Sequence, residues 1–555
     1  MIDCTVIYGL IDQTISEDSK NYSFSSKTVY SQGSNILIRE SKNDLVYLES
    51  NRTLLDGSFI FPDSNQPQAY DVGWESENLS DADGALSEFV EFDFTDTHDL
   101  YGFIFNFQTL IVDFKVEFYK DTTLIDTISV TGNTDLEFKK IVSVLQWDKI
   151  RISVTKISKP YQRARIGSVV FGISFDFDND NLVSVDATKA VSIKNDNTDS
   201  AQCNISFFNL GLFDIKTIKD LPVGLQSGMR VSVYFGSKLF NEYIVDSTEV
   251  EDEGKVINLT CYDRLYYLND TTFNIGKVYS DGRSLYDWAM EVAEDAKIEI
   301  SCDDSLKNII SKGYIGAVSH REALRMIAEA GNCNIIVQDG SISIVPFATT
   351  AGTDLTRDDI LEDSLDISNE DKILGVTVKQ YQFSKSSTTT GLSENQDILL
   401  TGETQTITAS YSSSPAEATS VSCSTNITIS SQKLGSENAV IAFTGTAGET
   451  GWITIVGKQY NKSTADVSSG YIDSHVKEID NTLIADATMA KSVCDFQLAH
   501  SASNYTYSLD TQVDLSAKLL ETITAIKYQI VVSSVEISLD SDNESMILGG
   551  EDYGE

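Results

Sequence analysis

Apolar and polar positions alternate with a period of two over long stretches of this chain. Val90, Phe92 and Phe94 share one side while Glu91 and Asp93 take the other, and the pattern returns at Phe103, Phe105 and Phe107. It returns again at Phe114, Val116 and Phe118, set against Asp113, Lys115 and Glu117, and at Ile150, Ile152 and Val154, set against Arg151 and Ser153. A two-residue period marks a strand with one wet and one dry face. With turn signals at Asp83-Gly84 and Gly132-Asn133, the pattern predicts a β-sandwich over about 27–175.

The period stays at two over about 176–270, through Val231–Phe235, Tyr243–Asp246, a turn at Glu253-Gly254 and Val256–Cys261. It then lengthens. Ser284 stands three residues before Asp287, and Leu285, Trp288, Ala289, Val292 and Ala296 fall on one helical face; Ser319 and Glu322 repeat the capping signal before Leu324, Ile327 and Ala328, with Gly331 as the stop. The pairs Asn334–Val337 and Ile342–Val345 flank Asp339-Gly340 and read as a hairpin, so 271–350 is predicted to be a small α/β domain. An acidic linker and a strand, Gly375–Tyr381, occupy 351–395, and the Ser/Thr/Gly tract Ser384–Glu394 reads as a flexible joint. Residues 396–462 read as a small immunoglobulin-like insertion, with strands at Thr406–Tyr411, Ile427–Ile429, Val440–Phe443 and Trp452–Val456. A helix at Asp486–His500 and closing strands fill 463–555, while 1–26 is set apart as an N-terminal segment. The expected fold is therefore mainly β and multidomain, and the modules at 27–175 and 396–462 are expected to fold alone.

Charge narrows the function. Against 83 Asp and Glu stand 41 Lys and Arg, a formal −42, which repels phosphate backbones and argues against nucleic-acid binding. The 41% hydrophobic fraction is ample for several cores. The start of the chain lacks a signal-peptide pattern, and there is no apolar run long enough to span a membrane, so neither secretion by leader nor insertion is expected. The seven cysteines are scattered without metal-ligand spacing; Cys203, Cys261, Cys423 and Cys494 sit in apolar stretches and read as core positions in a reducing cytoplasm.

Catalytic constellations are not evident. The four histidines are dispersed, and His320, beside its helix cap, reads as a solvated surface group. None of the common hydrolase, metalloprotease or nucleotide-binding motifs occurs, and no carboxylate pair stands out as a glycosidase pair. The string Asp176–Asn181 opens like a calcium loop but has Asn181 where glycine is needed and Ala187 where a bidentate Glu belongs, so it reads as an interdomain linker and no metal or cofactor is expected. Tyr70, Trp74 and Tyr161 fall in loops or at strand ends of the first module, where aromatic faces can stack on sugar rings; ordinary packing accounts for them equally well.

The stretch Tyr262-Asp263-Arg264-Leu265-Tyr266-Tyr267-Leu268, then Ser319-His320-Arg321-Glu322-Ala323-Leu324 running to Gly331, and Asn481–Ile484 before an Ala-rich helix resemble the hub or tail-tip proteins of tailed phages and contractile bacteriocins. The first module, through Leu54–Phe59, Val72–Ser76, Leu79–Gly84 and Pro160–Ile166, resembles a galactose-binding-type jelly roll. The resemblance implies hub β-barrels beside the α/β domain and a homotrimer on the tail axis. Its implied partners are a tail-tube or tube-initiator protein, a central spike, baseplate wedge proteins and the tape-measure protein. The first module would contact host-surface glycan. The implied location is the virion, after assembly in the host cytoplasm. Many tail-tip relatives continue into a lytic domain; this chain stops at Glu555 without one, and no enzymatic role is expected. Two rival readings are a glycan-binding receptor protein and a cell-wall glycosidase. A trimer would carry −126, so an acidic channel wall that lets DNA pass is expected.

Overall fold

The computed structural model describes residues 3–11, 15, 18–28, 31, 36, 73–192, 201–209, 228–279, 281–338, 340–369, 372–501, 505–513, 516–540 and 544–552. The chain is mainly β, in several sheets.

The first sandwich is built from long antiparallel strands, Ala85–Phe107, Ile111–Lys120, Thr123–Val130, Glu137–Ile157 and Arg165–Phe177, with Ser19–Phe24 on the far side of the first. Register sets Val90 opposite Ile152, Phe92 opposite Ile150 and Phe114 opposite Val154, which turns every apolar residue of the alternating pattern inward. The wet face is laced across strands. Arg151 lies opposite Glu91 and pairs with it at 2.6 Å, and Lys149 reaches Asp93 at 2.9 Å. Register shifts between Asp93 and Gly102 bend the strand pair, laying Phe103 and Phe105 over Phe118 and Phe114 at centroid distances of 6.3 and 6.2 Å. Trp147 seals this core edge-on to Phe94 and Phe118.

The boundary expected near residue 175 runs through a strand. Arg165–Phe177 begins in the sandwich and ends paired with Cys4–Ile11, which pairs in turn with Arg230–Phe235. From there the sheet continues through Lys238–Glu251, Val256–Tyr262, Gln202–Phe208 and Leu182–Ala190. Leu182–Ala190 then pairs with Tyr528–Asp540, so the C-terminal strands join the same sheet. One core serves both stretches, holding Val6, Phe177, Cys203, Val231 and Tyr243 together with Leu509, Val532 and Leu548. The Asp176–Asn181 string is the end of the Arg165–Phe177 strand and a tight turn at 178–181 rather than a linker: Asn181 Oδ1 accepts from Asp178 N at 2.8 Å, and Asp178 Oδ1 accepts from Asp180 N at 3.1 Å. Cys203 and Cys261 face each other across strands as free, buried thiols, and Cys494 is buried too; Cys423, expected in a core, is only half-buried.

Three helices form the α/β unit with the hairpin Cys333–Gln338/Ser341–Pro346. They are α2 (Leu285–Ala296), α3 (His320–Ala330) and α4 (Ala487–His500), and a short α1 (Arg264–Tyr267) precedes them. The expected caps form, Ser284 accepting from Asp287 N at 3.0 Å and Ser319 from Glu322 N at 3.1 Å. Gly331 follows α3 with ordinary negative φ; Asn332 takes the left-handed conformation instead. A Cβ at 331 would lie 2.6 Å from Leu306 Cδ2, so the buried Leu306 side chain would have to shift to admit one.

The Ser384–Glu394 tract is no joint. It lies inside one 25-residue strand, Gly375–Leu399, paired with Thr450–Gly470 from Gly375↔Gly470 to Leu399↔Thr450. Serine and threonine suit a pleated, half-wet surface, and the partner strand supplies the backbone pairing a flexible tract would lack. The far half of this hairpin, with Ala416–Cys423, packs on a second sheet of Gln405–Ser410, Asn438–Gly445 and Ile427–Leu434. Leu392, Ile441, Phe443 and Ile453 form its core.

Candidate functional site

The segments singled out by resemblance, far apart in sequence, meet at one joint. Asp263 caps α1, its Oδ1 accepting from Tyr266 N at 3.2 Å, and its Oδ2 accepting from Ala201 N at 2.7 Å. It thereby ties the end of the Val256–Tyr262 strand to the strand beside it. The carboxylate is 1% exposed, and burial pushes it up to about 6, opposed by those N–H donors and by the charge of Arg321. Tyr262 stacks on Tyr266 at 4.1 Å, Arg264 reaches Glu242 at 3.9 Å, and Leu265 enters the core under α2 and α3.

From the other side, Arg321 N donates to Leu268 O at 3.2 Å, and Ala323 and Leu324 are fully buried. On α3, Arg325 grips Glu322 through two bonds of 2.7 Å and Glu329 at 3.2 Å. Burial raises the Glu329 pKa, opposed by Arg325 and by Asn481. Asn481 Nδ2 donates to Glu329 Oε2 at 2.9 Å and to Met326 O at 2.8 Å, so the 481–484 segment closes the joint. His320 is the clearest departure from expectation. It is 3% exposed, with Nδ1 against Thr271 Oγ1 at 2.8 Å and Nε2 against Asp295 Oδ2 at 3.3 Å, and so links α2 to α3. Its position next to the cap suggested exposure; the face that turns it inward is set by α2, which local sequence does not reveal.

Sequence reading missed the contact that seats the inserted sandwich. Glu437, in the turn between its strands, accepts from Tyr314 Oη and from Ala317 N, each at 3.0 Å. Ser436 N donates to Gly276 O at 2.8 Å, Asn438 bonds Asn274 at 3.0 Å, and Lys433 reaches Asp295 at 2.6 Å. Glycines at 316 and 435 admit the approach: a Cβ on Gly435 would lie 1.9 Å from Asn274 O, and one on Gly316 2.7 Å from the Glu437 carboxylate. A charged turn with a glycine at 435, facing glycines 276 and 316 of the receiving segments, is a pattern visible only once those segments are adjacent.

The three glycan candidates separate. Trp74 is fully buried and donates Nε1–H to Ser26 O at 3.0 Å, so its ring belongs to the sandwich core and offers no face to a sugar. Beside it, Glu75 and Arg165 form a buried pair at 2.9 Å. Tyr161 is 51% exposed in a loop with left-handed φ of 55°. Tyr70 lies outside the described residues. Among the described residues no group of three or more His, Cys, Asp or Glu is placed to hold a metal, and no helix is long and apolar enough to cross a membrane.

No family model and no curated protein matches the chain. Among solved structures it is similar to the 43 kDa tail protein of prophage MuSo2 from Shewanella oneidensis, at 12% identity and TM-score 0.39, over 66% of this chain and 93% of that one. It is also similar to a tail protein from Neisseria meningitidis MC58, at 11% and 0.38, over 68% and 94%. A third is prophage tail protein gp18 from Listeria monocytogenes EGD-e, at 8% and 0.37, over 68% and 91%.

Proposed function

We propose that the chain is a non-enzymatic structural protein of a phage-tail-type particle, the central hub that joins the tail tube to the spike and to the baseplate periphery. The observation that carries this reading is the convergence of residues 262–268, 319–331 and 481–484 on one buried joint. The segments by which the sequence resembles hub proteins are those that lock its β sheet to its helices. Residues at this joint are capped, paired and enclosed, as suits a part that transmits load rather than one that turns over substrate.

In this reading three copies surround an axial channel with an acidic wall. At −42 per chain the copies repel one another, and screening over about 8 Å at physiological salt weakens that repulsion. Assembly therefore strengthens as salt rises from very low values. The partners are tube, spike, wedge and tape-measure proteins, and Tyr161 is the remaining described candidate for glycan contact. Sedimentation of the full chain across a salt series tests the trimer, and antibody labelling of parent particles tests the axial position. A monomer at every salt and concentration, or label confined to the fibres, would overturn the hub reading. Peptidoglycan hydrolysis abolished by one carboxylate substitution would restore the glycosidase.

A further inference from the structure

The hairpin of Gly375–Leu399 and Thr450–Gly470 leaves one edge bare. Ala416–Cys423 pairs with the second strand only over 453–459, and Tyr460 N donates to Pro415 O at 2.9 Å. Beyond that point no strand among the described residues lies on the outer side of 461–470, and 461–466 are exposed without a break. The far half of the hairpin slips register at Lys385/Thr389, Gly391/Ser393 and Asn395/Ile398; the near half runs without a slip from Gly375↔Gly470 to Lys385↔Tyr460. Bulges and covering segments blunt most exposed edges, so a regular bare edge is a template for another strand. Its hydrogen-bonding phase is set by the strand behind it. Tyr381 sends its N–H to Ile484 O at 2.9 Å, away from Thr464 opposite it. The pair is thus a non-hydrogen-bonded one, and Thr464 turns its own N–H and C=O to the bare edge; by alternation Lys462, Asp466 and Ser468 do the same.

We infer that this edge pairs antiparallel with the same edge of a second copy, Thr464 facing the partner's Thr464 across a two-fold axis. In that register Lys462 lies opposite the partner's Asp466, and Asp466 opposite the partner's Lys462. Each opposed residue offers outward backbone groups, so about six backbone bonds form. The next register in the same phase sets Lys462 against serine and Asp466 against threonine, and forms no charge pair. Lys462 rests over the Tyr381 ring of its own hairpin at 4.6 Å, on the face where the partner's carboxylate would arrive. Lys379, the cation opposite Asp466 within the chain, is held by Asp480 at 2.8 Å. Little apolar surface is covered, so the contact is reversible rather than obligate. One edge per chain takes one partner, so the inference stands for a single chain and for a trimer, which it would join to a second trimer.

The test is a disulfide across the axis. In an opposed, hydrogen-bonded pair the Cα atoms lie about 5.5 Å apart, within disulfide reach. Mild oxidation of full-length Thr464→Cys at physiological salt should give a linked pair on a non-reducing gel. Ser468→Cys should stay at the background set by the parent chain with its free cysteines. Added to Thr464→Cys, either Lys462→Asp or Asp466→Lys sets like charges opposite one another and should cut the linked fraction at least about fivefold. Both together exchange the charges and should restore it. Each variant is checked for an unchanged melting temperature. No link at 464, equal linking at 468, or no recovery in the doubly exchanged protein would overturn the inference. Binding of an unrelated strand-forming peptide, Arg-Val-Thr-Val-Glu, in place of the self-link would overturn it in favour of another protein's strand. None of these readouts moves if the axial trimer fails, so the two readings fall separately.

Discussion

The two sandwiches are held in different ways. The N-terminal one is packed with aromatics, Phe92, Phe103, Phe105, Phe118 and Trp147 all fully buried, and each such ring contributes up to about 3 kcal/mol by leaving water. The inserted one has a smaller core in which Phe443 and Tyr411 are the buried aromatics, and it adds two supports from outside. One is the long hairpin that continues from the helical unit; the other is the polar turn around Glu437. A sandwich with a deep core can be a neighbour. One with a shallow core gains its fixed position from what it rests on.

The largest test of this contrast is excision. Phe383 pairs with Lys462, so removing 384–461 and closing with an Asn-Gly turn should leave a soluble protein with an intact helical unit. Removing 396–462 should fail. Ser463 lies opposite Gln382, thirteen residues down the strand from Asn395, which leaves the ends about 40 Å apart. A folded, cooperative product from that second deletion, joined by a short Gly/Ser bridge, would show the hairpin to be dispensable.

Next in size, Trp147→Ala should destabilise the N-terminal sandwich by about 3–5 kcal/mol and leave the insertion unchanged. Hydrogen exchange read segment by segment in urea checks both halves of that statement. Glu437→Ala should cost about 2 kcal/mol at the seat of the insertion, because the Tyr314 hydroxyl and the Ala317 N–H lose their acceptor. Exchange at Ala317 and proteolysis near residues 433–438 should rise while the N-terminal sandwich stays protected; no change in either would mean that the hairpin alone seats the insertion.

A smaller effect separates both sandwiches from the joint. Asp263 titrates at about 6 in the fold, above the ordinary 3.8, so the folded state binds the proton more tightly. Its contribution is fully present below about pH 4 and is lost as pH rises through 6. Asp263→Asn should flatten that part of the stability–pH curve without altering either sandwich; an unchanged curve would remove Asp263 as its source. Smallest, Ser319→Ala should cost about 1 kcal/mol at the first turn of α3, read as a lower melting temperature of the helical unit.

Much of this was legible before any coordinates, and the residues show why. The Val90–Phe94 and Phe114–Phe118 faces and the caps at Ser284 and Ser319 each depend on neighbours within a few positions, so a local window contains the whole cause. The same window misled where the deciding partner was remote. Trp74 looked like a loop aromatic until its indole N–H met Ser26 O, and His320 looked solvated until α2 covered it.

By itself, then, the sequence determined which residues face inward along the alternating strands of the first sandwich, where α2 and α3 start, and that the molecule carries a strong negative charge. Only the tertiary structure decided that Leu182–Ala190 would pair with Tyr528–Asp540 and merge two stretches into one core, that Ser384–Glu394 would be strand, and that Glu437 would seat the insertion. Side-chain alternation settles a strand's faces but leaves its edges open to any partner. Which strand fills an edge depends on the summed burial and backbone pairing of segments hundreds of residues apart, and that sum exists only in the assembled fold.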